Sequence, residues 1–231
     1  MPNTQYLDIS IDCVVFGFDD EQLKVLLIEQ NKLDEEHVAL KALPGDLVKK
    51  GEDLDEAATR VLSELTNMQG LFLKQFGAFG HPERVRGSKD QKWLKQVREN
   101  PDAHIVTIGY YSLVRMEDYK PIAASFAHQT DWVDVYEIPE LAFDHNIILE
   151  KALERLREDT QNNDISFELL PKKFTLGQLQ KLHEMILDKK LDKRNFRKNV
   201  KKLDDLIPLN EKQKGVFHKP AQLYTFERGA E

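Results

Sequence analysis

The chain has 231 residues, 41% of them hydrophobic and 32% charged, with a formal net charge of −7. These values belong to a soluble globular protein built as one large domain or as a medium domain plus a small one. They exclude a helical membrane protein, because no apolar run approaches spanning length, and an internally disulfide-bonded one, because Cys13 is the single cysteine.

From Leu7 to Phe18 the pattern passes from alternation to a nearly continuous apolar run, which reads as a strand becoming buried on both faces. Cys13 lies in that run and is expected to be a core thiol. "FDDEQ" supplies a turn and "LKVLLIEQ" a second strand, hence a hairpin. A short strand near Val38–Ala42 leads into "LPGD". A helix follows from about Asp53 to Thr66, with Leu54, Ala57, Ala58, Val61, Leu62 and Leu65 at helical spacing. A strand over 71–79, a loop "GHPERVRGSKDQKW" with a short helix reaching Arg98, and the strands "HIVTIGYYSLV" and "WVDVYEI" come next. Pro139 ends that series, and Asp144–Asp159 is a helix closing the first domain. Strands and helices mixed in this order indicate an α/β or α+β domain.

The charge is divided along the chain. Residues 1–169 carry 18 Lys and Arg against 32 Asp and Glu, whereas residues 170–231 carry 15 against 8. An acidic body with a basic tail points to a polyanion as partner of the tail. The polar stretch "TQNNDIS" places the boundary between residues 1–160 and residues 161–231. In the tail, Thr175 and Gln178 form a capping box ahead of a helix with Leu176, Leu179, Leu182 and Ile186 on one side. Asp192 caps a second helix, expected to run to about Asp204, and a hairpin with its turn at "NEKQKG" follows. This is the order of a winged helix-turn-helix.

On the second helix Phe196, Val200 and Leu203 make the buried stripe and leave Lys193, Arg194, Asn195, Arg197, Lys198, Lys201 and Lys202 outside. No acid interrupts residues 193–203. Arg194 and Asn195, in the first turn, have the paired donors and acceptors that match base edges in a major groove. Lys198, Lys201 and Lys202 suit phosphates, and Lys212, Lys214, His218 and Lys219 would be wing contacts to the DNA backbone.

The segment 43–68 resembles the Nudix box, G-x5-E-x7-R-E-U-x-E-E-x-G-U, where U is a bulky apolar residue. Glu52 and Arg60 stand in register and Leu62 and Met68 fill apolar places. Asp46 replaces the first glycine, Val61 and Leu65 replace two carboxylates, and Asn67 replaces the last glycine; Glu64 alone remains of the three carboxylates after Arg60. Magnesium needs several oxygen ligands, so a box reduced to Glu64 and Glu52 implies a Nudix-like fold without hydrolysis and without a metal or other cofactor. The rival reading is an active Mg-dependent hydrolase that recruits Glu83 or Asp46.

"FGAFGHPER", "FTLGQLQKLHEMIL", "LDKRNFRKNV" and "KPAQLY" together resemble Nudix-related transcriptional regulators of the NrtR type across nearly the whole chain. That resemblance implies a Nudix-like sandwich followed by a winged helix-turn-helix domain, a homodimer on a palindromic operator, and a small-molecule effector. It makes Asp46, Glu64, His81, Glu83, Arg84 and Arg86 the candidate effector-pocket residues. "YLDISIDCVVFGFDDEQLKVLLIEQ" and the stretch after "HPERV" look most like the L-arabinose-responsive branch, so L-arabinose is the first expected effector and ADP-ribose, with control of NAD metabolism, the second. A cytoplasmic regulator needs no leader, and "MPNTQYLDIS" lacks the basic and apolar regions of a signal peptide.

Overall fold

Strand β1 (Leu7–Phe18) is the spine of the first domain, and every residue from Ser10 onward is buried. In this computed structural model, residues 7–18, 22–30, 40–87, 91, 94–95, 98, 100, 103–125, 127–162, 170, 172–215 and 219–227 are described. β1 runs parallel to β6 (His104–Arg115) along its whole length, from Leu7 opposite His104 to Phe18 opposite Arg115. On its other side it pairs antiparallel with β2 (Leu23–Gln30) and with β4 (Gly45–Leu47). β2 also pairs with β3 (Lys41–Ala42) and β7 (Ala127–Asp134), and β5 (Lys74–Phe79) edges β6. The result is a mixed seven-stranded sheet.

The period-two alternation of β1 divides two cores. Ile11, Cys13 and Val15 pack with Ala57, Ala58, Val61, Leu62 and Leu65 of α1 (Leu54–Thr66). Val14, Phe16 and Phe18 pack on the opposite face with Ile148, Leu149, Ala152 and Leu156 of α2 (His145–Gln161). A central strand covered by a helix on each face has no polar side, hence "CVVFGF". Burial pushes the Cys13 thiol far up, so it stays an inert core thiol.

α1 begins at the capping box of Asp53 and Glu56, whose side chains bond each other's backbone amides. It ends at Asn67, which adopts the left-handed conformation (φ 56°). Asparagine is the residue after glycine that best tolerates this geometry, so the missing last glycine of the box has a structural substitute.

The second domain is built from β8 (Phe174–Thr175), α3 (Leu176–Ile186), α4 (Lys193–Val200), β9 (Leu206–Lys212) and β10 (Gln222–Phe226). Its three strands are ordered β8-β10-β9. Thr175 both ends β8 and caps α3, receiving the Gln178 amide at 3.2 Å. His183 is buried between the helices, edge-on to Phe196 at a ring distance of 5.3 Å.

Several boundaries differ from the sequence expectation. α4 ends at Val200 rather than near Asp204, because the Lys202 and Leu203 amides turn back to Asn199 and Val200 (3.0 and 3.1 Å) and tighten the last turn. Lys201 and Lys202 therefore stand on the turn, not on the helix. β9 runs through the expected turn residues to Lys212, and the connection lies beyond it. "LPGD" carries the unforeseen strand β4, and β7 starts at Ala127 and ends at Asp134, earlier than "WVDVYEI" suggests. Of the short helix expected before Arg98, most residues lie outside the described set.

Candidate functional site

The box folds into a closed charge cluster. The Arg60 guanidinium donates to Glu52 (2.5 and 3.0 Å), to the Leu47 carbonyl (2.7 Å), to Asp46 (3.2 Å) and to Glu64 (3.1 Å). Lys49 Nζ binds both oxygens of Glu64 at 3.0 and 3.3 Å. The hydrogen bond from Arg60 holds Glu52 below the usual carboxylate range, and that from Lys49, with Arg60 second to it, does the same for Glu64. Val61 and Leu65, where the Nudix pattern has carboxylates, are core residues with no more than 2% exposure. Among the described residues no group of three or more His, Cys, Asp or Glu side chains has metal-holding geometry. Glu64 is thus held by cations of the chain itself.

Next to this cluster, between β1, β3, β4 and the loop after β5, lies a cavity of about 40 Å³. Ser10, Asp12, Asp46, Arg84, Arg98, Phe143 and His145 are among its walls. Gly45 lets β4 approach: a Cβ there would stand 2.0 Å from Asp12 Oδ1. Asp12 is the one charged residue in the buried run Ser10–Phe18 of β1, and a buried carboxylate needs partners. It has Thr107 Oγ1 (2.8 Å), Arg84 Nη2 (3.4 Å) and His145 Nε2 (3.5 Å). Arg84 donates two further bonds to Asp144, at 3.0 and 2.7 Å. Burial draws the Arg84 guanidinium down, but Asp144 and Asp12 outweigh it and raise its pKa. His145 Nδ1 accepts the Leu43 amide at 2.9 Å, which directs its other ring nitrogen to Asp12.

Arg98 differs from Arg84. Its Nη1 is buried and has no hydrogen-bond partner among the described residues, and burial pulls its pKa down against the attraction of Asp12, Asp46 and Asp8. A half-buried guanidinium with one buried, open donor is suited to an anionic or strongly accepting group.

Of the six expected pocket residues, the fold brings Asp46 and Arg84 to the cavity. His81, Glu83 and Arg86 do not line it. They are exposed on the outer side of the loop, with Arg86 paired to Glu83 at 2.6 Å and the Glu83 amide bonded to His81 Nδ1 at 3.2 Å. Across His81–Arg86 only Arg84 and Val85 are buried, so Arg84 alone of the four points inward. Glu64 stays in the Arg60 cluster. Sequence reasoning missed Asp12, Arg98, Asp144 and His145; a charged residue inside "ISIDCVVF" was the one visible signal.

The second site is on the winged helix. Asp192 accepts the Asn195 amide at 2.8 Å and fixes the start of α4. Phe196 and Val200 are buried, whereas Lys193, Arg194, Asn195, Arg197, Lys198, Lys201 and Lys202 are all exposed. None of these cations makes an ion pair among the described residues. Lys212, Lys214 and Lys219 are exposed around the hairpin connection, and His218 lies outside the described residues.

Residues 166–226 match the NrtR DNA-binding winged helix domain. The chain is thus a Nudix-like α/β domain followed by a winged helix domain, the arrangement of the solved structures it matches. It is 28% identical over 222 residues to the ADPR responsive transcriptional repressor NtrR of Acinetobacter baylyi, covering 94% of this chain and 81% of that one. The crystal structure of Shewanella oneidensis NrtR complexed with a 27mer DNA superposes with a TM-score of 0.68 at 26% identity, covering 95% of this chain and 93% of that one. The NUDIX domain of the same Shewanella protein complexed with ADP ribose aligns over 68% of this chain and 93% of that one, with a TM-score of 0.51 at 26% identity. Neither relative is named for L-arabinose. No helix among the described residues is long and apolar enough to cross a membrane.

Proposed function

We propose that this protein is a DNA-binding transcriptional repressor, a homodimer on a palindromic operator, in which residues 1–160 sense a small molecule and residues 161–231 hold DNA. The observation that carries this reading is the face of α4, six exposed Lys and Arg side chains on and just after one capped helix with no acidic partner among the described residues. An isolated cluster of like charge repels itself and is relieved by a polyanion. Arg194 and Asn195 in the first turn read base edges, and the lysines neutralise phosphates.

ADP-ribose, rather than L-arabinose, is the effector. Its diphosphate supplies anionic acceptors to which the open Nη1–H of Arg98 can donate, and an uncharged pentose offers no anion. The A. baylyi repressor responds to ADPR and the Shewanella NUDIX domain holds ADP ribose, which supports the same choice. The protein does not hydrolyse its effector, because Arg60 and Lys49 occupy the carboxylates that a divalent cation would need.

The test is fluorescence anisotropy on duplex DNA from upstream of its own gene, with each ligand added to the preformed complex. A response to ADP-ribose alone, with the nucleotide recovered intact in the presence of Mg²⁺, is the expected result. A response to L-arabinose alone would reverse the effector assignment, and release of AMP would restore the hydrolase.

A further inference from the structure

Helix α2 touches the cavity at its start and α3 of the winged helix towards its end. At its start, Asp144 occupies the N-cap position but makes no capping bond to its own helix. Its carboxylate is instead turned to Arg84 in the wall of the cavity, at 3.0 and 2.7 Å. The next residue, His145, is bonded to Leu43 and faces Asp12. The first turn of α2 is therefore part of the effector cavity.

Towards its end, α2 grips the winged helix. Leu149, Leu153 and Leu156 belong to the same buried cluster as Leu179, Leu182 and Ile186 of α3. Arg157 Nε donates to the Ile186 carbonyl at 3.0 Å, and Tyr136 Oη, just beyond β7, donates to the Met185 carbonyl at 2.6 Å. These are carbonyls at the C-terminal end of α3, where the helix itself provides too few donors and where a cation is favoured. Both donors come from the first domain. The attachment of α3, and with it α4, is thus set by α2 and the end of β7.

We infer that α2 is the coupling element between effector and DNA, with Tyr136 and Arg157 as the latch that passes its position to the winged helix. The inference rests on the ADP-ribose reading above. An anion bound at Arg84 and Arg98 competes with Asp144 for Arg84. Asp144, once released, is free to cap its own helix, so the ligand-bound and ligand-free cavities prefer different seats for the first turn of α2. A ligand shifts an equilibrium only through such a difference in affinity for two arrangements. Because α2 is one hydrogen-bonded rod of 17 residues, roughly 25 Å long, displacement at one end reaches the latch at the other.

Tyr136→Phe and Arg157→Ala test this, since both residues are remote from the cavity and from the basic face of α4. Two quantities are compared in the full-length protein: the ADP-ribose Kd by calorimetry, and the ratio of operator Kd values with and without ADP-ribose. The wild-type ratio is expected to be at least about fivefold. In each variant it should fall towards one, with the ADP-ribose Kd unchanged within about twofold. By reciprocity, operator DNA should also alter the ADP-ribose Kd of the wild type and not of the variants.

Amide exchange provides a readout free of any operator: ADP-ribose should change protection over residues 176–200 in the wild type and leave it unchanged in both variants. Tyr136→Phe removes a single hydroxyl, so it remains informative if Arg157→Ala destabilises the fold. Wild-type coupling retained in both variants overturns the latch while leaving ADP-ribose as effector. A wild type that does not bind ADP-ribose overturns the effector reading and the latch with it.

Discussion

The two capped helices α1 and α4 place charge in opposite ways. On α1, Arg60 is enclosed by Glu52, Glu64, Asp46 and the Leu47 carbonyl, and Val61, Leu62, Leu65 and Met68 of the box are apolar and buried. On α4, six cations on and after one short helix have no acidic partner among the described residues. Charges that satisfy one another within the chain fix geometry; charges of one sign left open await something outside. The same contrast separates Arg84, bonded through Nε and Nη2 to Asp144 and Asp12, from Arg98 in the same cavity, whose Nη1 has no partner among the described residues.

The sharpest way to break this contrast is to remove a central member of the enclosed set. Arg84→Ala leaves Asp12 and Asp144 without their cation in a buried site, and a loss of about 3–5 kcal/mol in urea-denaturation stability is expected. A loss below about 1 kcal/mol would mean that the buried charges find other partners. A second enclosed group gives a pH signature. Burial holds the His183 imidazole at about 4, against 6.5 for a free histidine. Between those values the unfolded chain takes a proton that the folded chain refuses, so stability is full above pH 6.5 and falls by roughly 3 kcal/mol towards pH 4. His183→Leu should flatten that part of the stability–pH curve in denaturation series at stepped pH.

The open set should behave differently, altering DNA binding without altering stability. Arg194→Ala or Arg197→Ala should weaken operator binding by about 1–3 kcal/mol where the side chain reads a base. Lys198→Ala should weaken operator and random DNA alike and reduce the slope of log K against log salt by about 0.9. Equal melting temperatures and unchanged affinity in all three variants would falsify the recognition role of α4. The smallest effect belongs to the exposed edge of the box: Glu64→Gln breaks a solvent-facing pair with Lys49 and should change stability by less than about 1 kcal/mol.

What the sequence made legible follows from where its periodicity is strong. Leu54 to Leu65 and Leu176 to Ile186 repeat at helical spacing and are the buried faces of α1 and α3, and the two capping boxes stand at Asp53 and Thr175 as their side-chain chemistry requires. The basic face of α4 was visible because Phe196 and Val200 define its inner side. The cavity was far less so, because its walls come from β1, β3, β4, the loop after β5 and the first turn of α2, and only pairing of those strands brings Asp12, Arg84 and His145 together. A loop motif such as "GHPER" names its residues but not their directions, which is why His81, Glu83 and Arg86 were grouped with Arg84 although they face away. Three-residue β4 is too short to show a period, and its place is set by the close approach of Gly45 to Asp12.

The apolar cluster that joins Phe16 and Leu149 of the first domain to Leu179 and Tyr224 of the second crosses the boundary drawn in the sequence. Chain organisation and thermodynamic organisation therefore do not coincide in this protein. Severing the chain near residue 160 would expose Leu179, Leu182 and Ile186, which are fully buried when the chain is intact. Sensor and winged helix should accordingly melt in a single calorimetric transition, with the van't Hoff and calorimetric enthalpies of one cooperative unit.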